Sequence, residues 1–142
     1  MKKAVIYYSS RTGTTKYFAN AIAGFLRSKN VETFVFSIYD MHSVQINGAD
    51  YVFLGCWAHG LFVAFQHPNS DWVQFAQKLP GLSDKKVALF TTYKLATGSM
   101  FKKMKMHLKG KTDGAALCLK SRNTKLTEGH KTQIADFLGQ GN

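Results

Sequence analysis

The sequence of 142 residues predicts an α/β protein with a parallel sheet covered by helices on both faces. Two observations lead to this fold class. Strand-like and helix-like segments alternate along the chain, and the strand-like segments are continuously apolar, as in sheets buried on both faces. Right-handed crossovers then give a doubly wound arrangement. At this length we expect one domain over residues 1–142.

Five segments are predicted as strands because they are runs of apolar, β-branched and aromatic residues. They cover residues 4–8, 31–38, 50–55, 86–92 and 114–120. The third ends at Gly55, and the loop after it is expected to begin there. Cys118 lies in the middle of the fifth strand, so we expect its side chain in the core.

Four segments are predicted as helices because apolar residues recur every three or four positions. They begin near Thr15, at Asn69 or Ser70, at Ser99 and after Thr127. Asn69 or Ser70 and Thr127 are residue types that cap helices. The buried face of the first helix is expected to carry Tyr17, Phe18, Ala21, Ile22, Phe25 and Leu26. The methionines of the third helix, over 99–108, are expected in the core.

The charge of the chain is strongly asymmetric. Lysine and arginine exceed aspartate and glutamate by 19 − 8 = 11, and residues 85–131 hold 12 basic side chains against Asp113 and Glu128. This segment therefore carries +10 of the net +11. One interpretation is a solvated basic surface, and the other is a docking face for an acidic partner protein or a polyanion. Nucleic acid is less favoured because no recognition motif accompanies the charge.

Other bulk features narrow the class of protein. No apolar run is long enough to cross a bilayer, and Met1-Lys2-Lys3 leads directly into a strand, so we expect neither a membrane association nor a signal peptide. Cys56 and Cys118 are expected to be reduced thiols of a cytoplasmic protein. No histidine or cysteine spacing indicates a metal or haem site.

The loops after the first, third and fourth strands are the places to expect a ligand, because doubly wound sheets bind ligands beyond the carboxyl ends of their strands. The first loop, over 9–15, combines hydroxyl side chains with Gly13 before a helix, which suits a phosphate group. The other two, over 55–60 and 91–98, offer aromatic side chains, glycines and backbone amides.

With these residues in place, the sequence resembles the short-chain flavodoxins over nearly its whole length. The first loop matches the family pattern Ser/Thr-x-Thr-Gly-x-Thr at Ser10, Thr12, Gly13 and Thr15. The resemblance implies the strand order 2-1-3-4-5 and FMN as the cofactor, with its phosphate on residues 10–15 and its ring between the other two loops. It implies no catalytic residue and no metal. The cofactor-binding residues expected from the resemblance are Ser10, Arg11, Thr12, Gly13, Thr14, Thr15, Cys56, Trp57, Ala58, His59, Gly60, Thr92, Tyr93, Lys94, Leu95 and Gly98.

The chain departs from the family pattern at two positions. Leu95 stands where family members usually stack an aromatic side chain on the flavin, and His59 where a methionine or tryptophan is common. Ring contacts are therefore expected from Trp57, Tyr93 or His59.

The resemblance implies an electron carrier between a reductase and an acceptor protein, with an acidic redox protein as partner. One alternative is a binding or regulatory module of the same fold with weak or no FMN binding. Another is a flavin-dependent reductase of a small molecule. The segment from Tyr8 to Gly13 is also similar to the flavodoxin-like activator of manganese ribonucleotide reductase, whose glycine-rich second loop is absent here.

Overall fold

A single five-stranded parallel sheet organises the computed structural model, which describes residues 1–10, 13–40, 46–58, 68–93, 98–112 and 114–139. The strands lie in the order β2-β1-β3-β4-β5, which confirms the predicted fold class and strand order. Their bounds are β1 Lys3–Ser9, β2 Glu32–Ser37, β3 Tyr51–Trp57, β4 Lys86–Thr92 and β5 Leu117–Ser121.

Helices cover both faces of the sheet. Their bounds are α1 Thr14–Ser28, α2 Ser70–Lys78, α3 Met100–His107 and α4 Glu128–Phe137, and a short 3-10 turn follows β2 at Ile38–Asp40. Helices α1 and α4 pack with alternate strand residues such as Phe53 on one face. Helices α2 and α3 pack with the intervening residues such as Leu54 on the other. The central strands are therefore apolar throughout because each of their faces meets a helix pair.

Three predicted core positions differ in the structure. Tyr17 is 60% exposed, because the buried stripe of α1 runs through Phe18, Ala19 and Ile22 and leaves Tyr17 on its margin. Met106 is 63% exposed, because Met100 and Met104 are the methionines that α3 turns towards the sheet. Cys118 is only half-buried, because β5 is an edge strand.

The third strand continues two residues beyond the predicted end at Gly55. The reason for the glycine is lateral packing: a Cβ atom at Gly55 would lie 2.0 Å from the ring of Phe90 on β4. Cys56 and Trp57 are thus strand residues, in register with Thr91 and Thr92. The fifth strand begins at Leu117 rather than at Gly114, which has a φ of 146° that strand residues do not adopt.

Candidate functional site

The predicted site residues that the structure describes come together at the carboxyl ends of β1, β3 and β4, which are neighbours in the sheet. They follow or end these strands and include the first turn of α1. This set comprises Ser10, Gly13, Thr14, Thr15, Cys56, Trp57, Ala58, Thr92, Tyr93 and Gly98. The remaining predicted residues, Arg11, Thr12, His59, Gly60, Lys94 and Leu95, lie outside the described residues.

The structure describes two residues of the turn between β1 and α1, Ser10 and Gly13. Gly13 is the N-cap of α1 with a φ of 93°, and its N–H donates to Ser10 Oγ at 2.9 Å. Gly13 provides no side-chain cap, and the first turn of α1 holds no acidic residue. The first amides of an α-helix have no intrahelical acceptor and carry the positive end of the helix dipole. The turn therefore suits a phosphate group.

A buried hydrogen bond joins this turn to the end of β4. Thr15 Oγ1 and Thr92 Oγ1 lie 2.6 Å apart, and both residues are buried. The contact bridges 77 positions of sequence and fixes the start of α1 against the fourth strand. In this structure the hydroxyl of Thr15 is thus engaged by Thr92, and the phosphate contact predicted for Thr15 stays a prediction.

Asn69 links two strands to the start of α2. Its side-chain oxygen accepts from Trp72 N–H at 3.0 Å and from the Cys56 thiol at 3.6 Å, and its amide donates to Ser9 Oγ at 3.1 Å. The sequence prediction of Asn69 as a helix cap is confirmed. Its second role, holding the ends of β1 and β3, was missed because no sequence pattern brings Ser9 and Cys56 to this residue.

Cys56 supports the site from within the core. Burial raises the pKa of its thiol to about 12, so the group stays protonated at neutral pH. The backbone carbonyl of Cys56 accepts a hydrogen bond from Thr91 Oγ1 at 2.6 Å. The side chain is fully buried, and a cofactor contact from Cys56 would therefore have to come from its backbone.

Two aromatic residues, Trp57 and Tyr93, end β3 and follow β4, and both are partly exposed. Ala58 N–H donates to Thr92 O at 2.8 Å, and Tyr93 N–H donates to Ser121 O at 3.1 Å. These bonds extend the sheet and hold both aromatic positions on its edge, where they can flank a planar ligand.

Arg122 is a further residue at this edge that sequence reasoning missed. Its guanidinium carbon lies 5.5 Å from the centroid of the Tyr93 ring, within cation–π distance. The only sequence signal was its position directly after the fifth strand. The contact places a positive charge beside an aromatic side chain of the site.

Two kinds of structural feature are absent from the part of the chain that the structure describes. None of its helices has the length and apolar character needed to cross a membrane. It also contains no group of three or more histidine, cysteine, aspartate or glutamate side chains arranged to hold a metal ion.

Comparison with known proteins defines the class. The model of the flavodoxin domain family matches residues 5–142, and the chain therefore belongs to this family. Among solved structures, two-electron reduced Megasphaera elsdenii flavodoxin is similar at a TM-score of 0.77 and 20% identity, with 97% of this chain and 99% of that chain covered. Oxidised flavodoxin 1 from Bacillus cereus is similar at a TM-score of 0.70 and 22% identity, with 99% of this chain and 100% of that chain covered.

A third structure contains a ligand. It is a mutant of Fusobacterium nucleatum flavodoxin bound to flavin mononucleotide, similar at a TM-score of 0.64 and 15% identity, with 98% of this chain and 94% of that chain covered. At these sequence identities, the structural similarity shows only that the chain shares its fold with these proteins.

Proposed function

We propose that this chain binds FMN at the carboxyl edge of its sheet and carries electrons between a reductase and an acceptor protein. The observation that carries the proposal is the start of α1, where Gly13 and Ser10 form the described part of the turn and the N-cap residue Gly13 provides no side-chain cap. The N-terminus of a helix attracts a phosphate group through its dipole and its first amides. Bound FMN supplies the redox chemistry, and the protein supplies binding, orientation and electrostatics.

The residues divide into two groups by role. Residues 10–15 hold the phosphate, and Trp57 and Tyr93 flank the ring, where they compensate for Leu95. An aromatic contact contributes about 0.5–1.5 kcal/mol beyond the area that it buries. The bonds from Ala58 to Thr92 and from Tyr93 to Ser121 hold these two walls at the sheet edge.

The visible absorption spectrum of the purified protein, with and without added FMN, is the first test. The second is FMN titration of the Thr12→Ala/Thr15→Ala variant. Each lost hydrogen bond to a charged group costs about 1.5–3 kcal/mol, so the dissociation constant should rise at least about a hundredfold. The control is Thr127→Ala, which changes the cap of a different helix and should leave the dissociation constant for FMN unchanged. An unaltered affinity in the double variant would contradict the phosphate assignment.

Thr92→Val separates two roles for Thr15. This variant removes the partner of the Thr15 hydroxyl and keeps the hydroxyl itself. If Thr92→Val weakens FMN binding as much as Thr15→Ala does, Thr15 positions the turn and does not bind the phosphate. If only Thr15→Ala weakens binding, the direct contact is supported.

The ring contacts have an independent readout in flavin fluorescence. We expect strong quenching of FMN on binding, and a partial return of fluorescence in Trp57→Ala or Tyr93→Ala, because stacked aromatic rings quench the flavin. Tyr17→Ala, an exposed aromatic on α1, is the matched control. If neither site variant changes quenching or affinity, other residues form the pocket.

The second candidate function is a binding or regulatory module with weak or no flavin binding. The observation in its favour is the sequence departure at Leu95 and His59, two positions that usually contact the ring in the family. The same titration separates the candidates, because a module of this kind would remain colourless at micromolar FMN.

The partner that we propose is an acidic redox protein, because residues 85–131 carry +10 of the net charge. Electrostatic steering would make the rate of electron transfer fall as the salt concentration rises. Cys56 and Cys118 are free thiols in the structure, and the cytoplasmic location stays a prediction.

A further inference from the structure

The outer face of α3 forms one side of a groove of about 470 Å³ that the flavin site does not use. Its other side is the segment before β5, including Thr112 and Ala115. Three lysines line it, Lys102, Lys105 and Lys109, and Met106 lies among them with 63% of its surface exposed. On α3, Lys105 and Met106 lie three and four residues after Lys102, which places these side chains along one face, and Lys109 follows just beyond the end of the helix.

The helix dipole explains only part of this arrangement: Lys105 lies in the last turn of α3, where a positive charge is favoured. Lys102 lies in the first turn of α3, where the helix dipole favours acidic residues, and that turn contains none. Lys102 and Lys105 are also like charges at a spacing that destabilises helices. Within the described residues none of the three lysines has a carboxylate within 4.0 Å, whereas Lys131 pairs with Glu128. Asp113, next to Thr112 in the sequence, lies outside those residues.

From this groove we infer a docking site for an acidic peptide segment that carries an apolar side chain. The lysines complement carboxylates, and Met106 with the aliphatic wall at Ala115 accepts the apolar group. The lining residues include no aromatic side chain, whereas single-stranded nucleic acids are bound by basic grooves with stacking aromatics. The groove chemistry therefore favours a protein segment over a nucleic acid.

The position of the groove relates it to the proposed electron transfer, and this part of the inference rests on the proposed function. Helix α3 starts at Met100, directly after the loop that follows Tyr93. At 1.5 Å per residue its eight residues extend about 12 Å away from the carboxyl edge. The segment before β5 that forms the other side of the groove lies at the opposite edge of the parallel sheet. A partner segment in the groove would therefore lie along α3, and the body of its redox protein would have to extend towards the carboxyl edge to reach the proposed FMN site.

The test uses a fluorescein-labelled peptide of aspartates and glutamates around a central leucine, measured by fluorescence anisotropy with FMN-free protein. We expect salt-sensitive binding that the variant Lys102→Glu/Lys105→Glu/Lys109→Glu weakens at least about tenfold. The control variant Lys2→Glu/Lys78→Glu/Lys125→Glu changes the net charge equally, from +11 to 11 − 6 = +5, at sites outside the groove. This control variant should lose clearly less affinity for the peptide than the groove variant does.

Two additional measurements keep the result interpretable. Met106→Ser should weaken binding about threefold at every salt concentration, because it removes the apolar contact and no charge. A peptide with alanine in place of leucine should lose affinity by a similar factor on the wild type. If the triple groove variant does not fold, Lys102→Gln/Lys105→Gln/Lys109→Gln replaces it. The expected order of peptide affinity stays the same: wild type first, then the control variant, then the groove variant.

Several outcomes would overturn the inference. These are no binding at low salt, equal losses in the groove and control variants, or tighter binding of a single-stranded oligonucleotide of matched charge. Amide chemical shifts that change outside the segment 102–115 would have the same effect. FMN titration of the groove variant is a separate measurement, so a failed docking site and a failed flavin site can be distinguished.

Discussion

The four helices whose bounds the structure describes begin at the same edge of the sheet, but their first turns are stabilised in two different ways. Helices α2 and α4 have side-chain caps: Asn69 accepts from Trp72 N–H, and Thr127 forms a reciprocal capping box with His130. Helices α1 and α3 begin at Gly13 and Ser99, and neither residue provides a side-chain cap. The two uncapped helices follow two of the three loops predicted to bind the cofactor, and the third loop precedes the capped helix α2.

The difference between capped and uncapped helices bears on folding stability and, under the proposed function, on cofactor binding at the same edge. A side-chain cap satisfies the first amides of a helix within the protein, and those amides then have nothing to offer a ligand. The glycine N-cap of α1 provides no such side-chain cap, and the helix dipole at this N-terminus favours a bound anion. We therefore expect variants at α2 and α4 to change folding stability, and variants at α1 and the ring-side residues to change cofactor properties.

The largest expected effect is at Asn69. Asn69→Ala removes the cap of α2 and leaves the buried Ser9 hydroxyl and Cys56 thiol without this partner. A lost cap costs about 0.5–2 kcal/mol and an unsatisfied buried group about 1–3 kcal/mol, so we expect a loss of about 2–4 kcal/mol in the free energy of unfolding. Urea denaturation measures it. Asn69→Asp keeps the cap oxygen and should lose less; equal losses would assign no role to the cap bond with Trp72.

The next effect concerns alkaline pH and Cys56. The thiol has a pKa of about 12 in the folded protein, against about 8.5 for an unperturbed thiol. Between these values the unfolded chain has released this proton and the folded one has not, so rising pH favours unfolding. The stabilisation that the buried thiol contributes to the folded state is fully present below about pH 8.5. Above that pH the free energy of unfolding falls by about 1.4 kcal/mol per pH unit.

Urea denaturation of the wild type and Cys56→Ala at pH 8 and pH 10 isolates this contribution, because the other titrating groups are common to both proteins. The wild type should lose more stability than the variant over this interval. Equal losses would contradict the burial of the thiol as a protonated group.

A smaller effect is expected from the cap of α4. Thr127→Ala removes the acceptor of the His130 amide and should reduce the free energy of unfolding by about 0.5–2 kcal/mol. Ser99→Ala at the start of α3 is the matched control, since Ser99 makes no side-chain cap bond, and should stay within about 0.5 kcal/mol of the wild type. If the two variants lose equal stability, the division into capped and uncapped helices does not hold energetically.

The smallest expected effect is at the ring side of the proposed flavin site. Arg122 lies over Tyr93, and a positive charge there favours the reduced, anionic form of a flavin. An exposed pair of opposite charges is worth about 0.2–1 kcal/mol, which corresponds to about 10–40 mV in a one-electron couple. Arg122→Gln should lower the reduction potential by this amount in a redox titration, and Lys125→Gln is the control. An unchanged potential would show that Arg122 does not act on the flavin.

The site was predictable where its residues are adjacent in the sequence. The turn over residues 10–15 combines a strand end, a glycine and a helix start, and each of these has a local signal. The cap residues Asn69 and Thr127 were predictable for the same reason. The contacts of Thr15 with Thr92 and of Arg122 with Tyr93 have no local signal, because they depend on how neighbouring strands are placed.

By itself, the sequence determined the element order, the parallel sheet and the edge at which the site lies, because apolar periodicity and crossover handedness are properties of the chain as written. Tertiary structure alone decided which side chains are exposed to solvent and which form contacts within the protein. Met106 became exposed beside three lysines because it lies on the face of α3 that points away from the sheet, and Gly55 was required because Phe90 packs across it. Cys56 stays protonated because its side chain is buried in the core between the sheet and helices α2 and α3.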